Sequence, residues 1–395
     1  MVFVPSVSAI MADFGADVVK IEPPGVGDMH RYGHQIPGMP VSDNPYVFQV
    51  DNRSKKSLSL DLKAPEGLEV FRKLISRADV FLTNYRTSAS EKLGLTYDDL
   101  EAVNSRLIYA RGTGHGERGP EAEKPGYDSV SFWSRSAMET HMLPERGAAR
   151  LPPYGTGDHP SGLALLSAVM MALYQRERTG EGVDVSVSLL GSGAWVNSNM
   201  LMAALCGAEF QPRRSHVELL YAFRHYKTSD DRILKLGIND HERLWEAFCH
   251  AISRDDLIND TRFGSLTLRN ENTIELNQII DAVFLQRSIA DWDQALGKFD
   301  IPFSPLPTYQ EVAEDPQMIA NDILVDVNDP QYGKFQMVNS PLEYGDYKKV
   351  QPTAAPRLGE HSREVLFDLG YSREEIDRLI ENGSIQEYQS LGLPQ

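Results

Sequence analysis

Asp158 stands in the segment Tyr154-Gly-Thr-Gly-Asp-His-Pro-Ser-Gly162, directly ahead of an apolar run from Leu163 to Arg178. A carboxylate in that place has two uses. As a helix cap it accepts backbone N–H groups, with His159 and Pro160 in the first turn. As a nucleophile it stays ionised, because the helix dipole and the free N–H groups favour its charge. Gly155, Gly157 and Gly162 would then let a ligand approach closely. The residue types leave both readings open. Tyr127-Asp128, in Pro125-Gly-Tyr-Asp-Ser129, poses a similar choice. Either Pro-Gly makes a bend and Tyr127 packs with Phe132 and Trp133, or the pair belongs to a site. Gly112-Thr-Gly-His-Gly116 follows a predicted strand and is of a type that touches phosphate. It lacks the following helix that a dinucleotide fingerprint needs. Arg31, Arg53, Lys55, Lys56, Arg86 and Lys92 fall near predicted strand ends, where cations can hold an anion. The ten histidines are scattered, with no His-x-x-x-His pair on a predicted helix beside an acid, so no metal site is expected. No Gly-x-Ser-x-Gly elbow precedes a helix, which argues against a serine hydrolase.

The elements that must position these residues alternate strand and helix. Strands are predicted over 17–22, 57–62, 79–84, 106–111 and 183–190, and helices over 8–14, 65–75, from Thr96, and over 163–178. Pro65 opens one helix, and Thr96 with Asp99 forms a start signal for another. This order predicts an α/β fold with a doubly wound, mostly parallel sheet. Ligands bind beyond the carboxyl ends of such strands, so 23–31, 84–92 and 112–119 are the candidate ligand loops. Residues 115–157 read as irregular. Beyond about 212 the pattern changes to one short strand at 233–238 and helices near 241–252, 273–285 and 289–297. The tail carries helices near 361–369 and 373–381.

The chain has 395 residues, with 39 Lys+Arg and 56 Asp+Glu, a net charge of −17. The length suffices for two or three domains. The charge argues against a nucleic-acid-coating protein, which needs clustered cations. Two cysteines, Cys206 and Cys249, make no disulfide framework. That, and a start without an apolar leader, point to the cytoplasm. No run approaches the ~20 apolar residues of a membrane helix.

Several segments together resemble the family III CoA-transferases, also called the CaiB/BaiF family. They are Ala12-Asp-Phe-Gly-Ala-Asp-Val-Val-Lys-Ile-Glu22, Asn52-Arg-Ser-Lys-Lys-Ser-Leu-Ser-Leu-Asp-Leu62, Ala78-Asp-Val-Phe-Leu-Thr-Asn-Tyr-Arg86 and Gly157-Asp-His-Pro-Ser-Gly162. Asp256-Leu, Asp260-Thr-Arg-Phe263, Asp300-Ile-Pro302, Ala355-Pro-Arg-Leu-Gly-Glu-His361 and Asp368-Leu-Gly-Tyr371 follow in the same order. The resemblance implies a Rossmann-like large domain built from both chain ends (1–200 and 330–395), a smaller inserted α+β domain (212–325), and an interlocked homodimer. It implies that Asp158 is the catalytic aspartate, forming a mixed anhydride and then an aspartyl-CoA thioester. It places Leu60, Asn84, Tyr85 and Lys92 at the CoA site, with Arg31, Arg53, Lys124 and Tyr127 as further contacts. Coenzyme A and acyl-CoA are implied as substrates beside a small carboxylic acid, with no permanently bound cofactor. Phe132, Trp133, Met138, Met142 and Trp195 are candidates for an apolar acyl pocket.

The departures from the family pattern carry expectations too. Met1-Val-Phe-Val-Pro5 already lies inside the family's first turn, so a central first strand is expected to be missing. Val2 stands near a polar position of some transferases, Pro23 replaces a basic residue, and no Gly-Gly-Gly loop occurs near 220–230. The family also holds α-methylacyl-CoA racemases, which use a His/Asp pair across the α-carbon. Tyr127 occupies the position of their histidine, and a phenol of pKa ~10 is a poor base at neutral pH. His115, His141 and His159 are the histidines that could replace it in space. A non-catalytic CoA-binding protein, with Asp158 only a cap, is the reading from another class.

Overall fold

The computed structural model describes residues 2–142, 152–210 and 215–388. Helix α1 (Phe3–Asp13) opens the chain and buries Phe3, Val4, Val7 and Ile10 together with Ser6 and Asp13. A helix buried on so many sides belongs inside the fold, not on its surface. Strand β1 (Val19–Glu22) runs parallel to β2 (Lys56–Leu60), pairing Val19 with Lys56 through Glu22 with Ser59. A 3-10 helix (Met29–Gln35) and α2 (Tyr46–Asn52) lie between them in sequence. Helix α3 (Pro65–Ile75) starts on its proline and buries Val70, Phe71 and Ile75. Then come β3 (Val80–Thr83), α4 (Thr87–Leu93), α5 (Tyr97–Glu101) and β4 (Ile108–Thr113). Thr96 and Asp99 close a reciprocal capping box on α5. Next are a π-helix (Asp128–Ser134), α6 (Met138–Met142) and α7 (Asp158–Thr179). Strand β5 (Val183–Ser188) then returns parallel to β4, which is itself parallel to β3. Helices α8 (Leu189–Val196) and α9 (Ser198–Leu205) follow.

Residues Met1–Ala208 and Asp322–Gln395 form one compact unit, and Glu209–Asn321 a second. The second has a three-stranded antiparallel sheet, β6 (His225–Lys227), β7 (Ile233–Leu236) and β8 (Phe303–Pro305). Its core joins Tyr226, Phe248, Phe284 and Trp292, carried by β6, α10 (Trp245–Ala251), α12 (Thr273–Phe284) and α13 (Ile289–Gly297), with α11 (Leu266–Glu271) alongside in sequence. Short helices α14 (Tyr309–Ala313) and α15 (Pro316–Ala320) end it. The chain then adds a hairpin to the first unit, β9 (Leu324–Asp329) and β10 (Gly333–Val338), followed by α16 (Ser362–Asp368) and α17 (Arg373–Glu381). Strand β11 (Ile385–Gln386) pairs antiparallel with β2.

Three features differ from the sequence expectation. The parallel strands form two three-stranded sheets, β1-β2-β11 and β3-β4-β5, and not one continuous ladder. Among the described residues β1 and β3 are each paired on one edge only, and both are only half-buried over their first three residues. The stretch 115–157, expected to be irregular, contains the π-helix and α6. The 324–338 hairpin was not anticipated, although Val325 and Val327 alternate with Asp326 and Asn328, and Phe335 and Met337 with Lys334 and Gln336. No helix of the described residues is long and apolar enough to cross a membrane.

Candidate active site

Asp158 is the first residue of the 22-residue helix α7, and Gly157 is its cap. The helix-cap reading of Asp158 is therefore corrected: Gly157 already has helical backbone angles, and the Asp158 carboxylate is not the capping acceptor. Gly157 donates its N–H to Asp128 Oδ2 at 3.1 Å, so Asp128, from the π-helix, caps this turn. A methyl group on Gly157 would lie 2.3 Å from Asp128 Oδ1 and 2.5 Å from the Phe132 ring. One on Gly162 would lie 2.2 Å from Ser6 Oγ of α1. These two glycines thus allow the π-helix and α1 to close on α7, which brings two carboxylates together at one helix start.

Burial and the nearby charges of Asp128 and Asp51 push the Asp158 carboxyl up to about 7. The helix-dipole argument anticipated the opposite sign. It loses here because desolvation and like-charge repulsion both favour the protonated acid. The Asp128 carboxyl is raised as well, by burial, against the pull of the Gly157 and Asp158 N–H groups. Two such carboxyls titrate as a coupled set. Tyr154, just upstream, is pushed up to about 12 by burial and by Asp158, so it remains a neutral phenol.

On the other side lies a cluster that the sequence reading missed. His159 Nε2 is 3.0 Å from Asp51 Oδ1, and Asp51, from α2, is only 2% exposed. Asp51 Oδ2 stands 3.7 Å from Nε2 of the fully buried His30. Burial drives the His30 imidazole down to about 4, so it is neutral. Asp28 caps the 3-10 helix through His30 N–H at 2.9 Å and pairs with Lys20 at 2.7 Å. Although buried, the Asp28 carboxyl is held well below its ordinary range by Lys20. Lys55 directs its amine to Pro5 O, Asp51 O and Asn52 Oδ1, and burial pushes it far down. The one local signal for this cluster is Gln49 and Asp51 interrupting the apolar Val47, Phe48 and Val50 of a short helix.

The other anticipated residues are placed as follows. Asn84, Tyr85 and Arg86 are exposed in the loop after β3. Burial, with the charge of Asp28 after it, raises the Tyr85 phenol above its ordinary value. Lys92 is exposed in the last turn of α4. Leu60 is 1% exposed, and its side chain belongs to the core with Leu58 and Phe71. Tyr127 is 60% exposed beside Asp128 and does not pack with Phe132. Lys124 is an exposed partner of Glu121 at 3.0 Å. Arg31 gives Nε and Nη2 to Glu22 (2.8 and 2.6 Å) and Nη1 to Pro356 O (3.0 Å), while stacking on Phe48. Arg53 is buried against Asp13. Both guanidinium groups are thus saturated by the protein itself. Gly112 and Gly114 serve packing rather than an anion. A methyl on the first would lie 2.4 Å from Val4, and on the second 2.6 Å from the Gly126 backbone. Phe132 is core, and Trp195 is 80% exposed. His115 contacts Ser131 Oγ and Pro125 O. The side chain of His141 lies outside the described residues.

The model of the family described as CoA-transferase family III matches residues 1–362. The cinnamoyl-CoA:phenyllactate CoA-transferase of Clostridium sporogenes is 31% identical, covering 95% of this chain and 92% of the relative. The (R)-2-hydroxy-4-methylpentanoate CoA-transferase of Clostridioides difficile is 30% identical, covering 94% of this chain and 93% of the relative. A CAIB/BAIF family protein from Brucella suis has a solved structure similar to this one, with TM-score 0.79 and 27% identity over 92% of this chain and 95% of that one. With a family match across most of its length and relatives of that kind, the chain belongs to the family III CoA-transferases, and it is an enzyme that transfers coenzyme A between acids.

Proposed function

We propose that Asp158 is the nucleophile of this transfer. Its carboxylate attacks the donor thioester carbonyl, the C–S bond breaks, and CoA leaves as thiolate, giving a mixed anhydride. The thiolate then attacks the aspartyl carbonyl and expels the donor acid, leaving an aspartyl-CoA thioester. The acceptor carboxylate attacks that thioester, thiolate leaves again, and its attack on the acceptor's acyl carbon yields the new acyl-CoA and free Asp158. Each hard acyl transfer is thereby divided into easier steps. The observation that carries this reading is a partly accessible carboxyl at the start of α7, with no ion pair among the described residues.

We read CoA as lying along Asn84, Tyr85 and Lys92, exposed side chains of the loop after β3 and of the last turn of α4. Leu60 would contribute backbone only, and Lys124 and Tyr127 lie further along the same reading as exposed groups. The large unit is read as doubly wound and Rossmann-like. The acceptor is read as a branched or aromatic acid, in keeping with the acids named for the two clostridial relatives. Two free cysteines suit a cytoplasmic enzyme.

The test is mass spectrometry after incubation with acyl-CoA donors, cinnamoyl-CoA among them. A CoA adduct on the peptide carrying Asp158 is expected. Exchange of the substrate α-proton for deuterium with no adduct would replace this reading by a racemase.

The enzyme is further read as a homodimer, interlocked as the family resemblance implies. Met171, Tyr174, Trp195 and Leu205, on α7, α8 and α9, are 71%, 67%, 80% and 80% exposed. Large apolar side chains this exposed commonly mark a protein–protein surface. Light scattering should give the mass of two chains, and a monodisperse monomer would contradict it.

A further inference from the structure

We propose that His159, held by Asp51, receives the carboxylate of the incoming acid, and so is a second catalytic residue beside Asp158. The inference rests on the reading of Asp158 as nucleophile.

The reaction brings an anionic acid to a place already crowded with negative groups. Asp158 and Asp128 meet at the start of α7, and Asp51 approaches from α2. An acid arriving there needs a cation, and the other cationic side chains nearby among the described residues are committed. Lys20 is paired with Asp28, Arg31 with Glu22 and Arg53 with Asp13. Lys55 spends its amine on Pro5 O, Asp51 O and Asn52 Oδ1. His30 is fully buried. His159 differs from all of these. Its side chain is 48% exposed, it is the next residue to the nucleophile, and one ring nitrogen is held at 3.0 Å by an Asp51 that is itself buried. Its ring edge also lies against Gly155, with Cε1 3.6 Å from where a Gly155 methyl would be.

The groups facing His159 are Asp51 from α2, Asp158 on its own helix, Asp128 from the π-helix and the Gly155 carbonyl. Desolvation works against its charge, but Asp51, Asp158 and the Gly155 carbonyl outweigh it and raise the imidazole above its ordinary range. An imidazolium fixed by a buried carboxylate is a pre-oriented donor for a second carboxylate. His159 keeps its proton throughout. The acceptor oxygen attacks the aspartyl-CoA carbonyl, the C–S bond breaks, and the electron pair leaves with the thiolate.

The experiment uses the whole enzyme with cinnamoyl-CoA as donor and phenyllactate as acceptor. His159→Gln should raise KM for phenyllactate by about 10- to 100-fold, the range for losing one charge-assisted hydrogen bond. It should slow formation of the CoA adduct on Asp158 but leave the adduct detectable, because the donor acid departs by the reverse of the acceptor's attack while the nucleophile is intact. In the parent enzyme KM for phenyllactate should rise with pH as the imidazolium loses its proton. In Asp51→Asn that rise should begin at lower pH, because the charge that raises His159 is gone. An unchanged KM in His159→Gln from pH 6 to 9 would overturn the proposal. So would loss of the adduct in that variant, which would make His159 a support for Asp158. If either variant fails to fold, the pH dependence of inhibition by cinnamate in the parent decides. Inhibition must weaken as pH rises, and a flat profile would overturn the assignment. Failure of the adduct in the parent bears on Asp158 alone, so the two readings fail separately.

Discussion

Asp158→Ala is expected to reduce CoA exchange between an acyl-CoA and a free acid by about 10⁴-fold or more, the scale of removing a covalent nucleophile. Binding of CoA should persist, because no proposed CoA contact involves this side chain. Unchanged exchange would sink the nucleophile and leave a CoA-binding role. The same variant carries a stability signature with a definite sign. The Asp158 carboxyl is raised to about 7 in the folded protein, by burial first and by Asp128 and Asp51 after it. An acid whose folded pKa is raised binds more protons in the native state than in the unfolded chain between the two values. Its contribution to stability therefore falls as pH rises from the ordinary carboxylate range towards 7. Asp158→Ala should accordingly be more stable than the parent at pH 8 and show no such advantage at pH 4. Thermal unfolding at the two pH values checks this. A cap would behave oppositely, since losing a stabilising carboxylate lowers stability at pH 8. Activity should show the complementary limb, rising through about pH 7 as Asp158 ionises.

How far the sequence reveals this site depends on whether the interaction is local. Pro65 and the Thr96/Asp99 pair announce helix starts within four residues of themselves, and both helices form there. The period-two run at 57–62 yields β2, and the one at 183–190 yields β5. Asp158 draws attention because its glycines and its helix are adjacent in sequence. What stays hidden is what folding joins across distance. Asp51 and His159 are 108 positions apart, and Asp128 and Gly157 are 29 apart. No periodicity links such positions, so neither the imidazole clamp nor the carboxyl pair is visible beforehand. The same distance effect misplaces cations. Arg31 and Arg53 look like free phosphate partners until Glu22 and Asp13 are seen to take them. Lys92 and the Asn84–Tyr85 loop keep their candidacy because nothing described pairs with their side chains. The divided sheet was not legible, because alternating strands and helices predict one doubly wound sheet, whereas β1-β2-β11 and β3-β4-β5 pair separately. The π-helix was not, because Pro125-Gly126 and the charges around it resemble loop composition.

Asp13→Ala is expected to destabilise the large unit by about 3–5 kcal/mol, the usual cost of stranding one partner of a buried ion pair. Arg53 Nε and Nη2 meet the two Asp13 oxygens at 2.8 and 2.6 Å, a bidentate fork, while Nη1 donates to Val50 O. Both side chains are almost wholly buried, 4% and 1% exposed. Removing the carboxylate leaves a guanidinium that neither water nor a second acid can reach. The pair also ties the end of α1 to the residue that closes α2, and α2 carries Asp51. Loss should therefore be read both in chemical denaturation and in a weakened His159 anchor. Arg53→Lys should recover little, because an ammonium cannot reproduce the fork. Replacing both residues by apolar ones of similar volume, Asp13→Leu with Arg53→Met, should restore much of the loss, since both desolvation costs disappear with the charges. This series also separates the two uses of Arg53. A phosphate ligand of CoA would show a raised KM for acyl-CoA with nearly normal stability in Arg53→Met. A structural partner of Asp13 shows lowered stability, rescue by the double change, and a KM for acyl-CoA close to the parent's. The second pattern is the one the saturated guanidinium predicts.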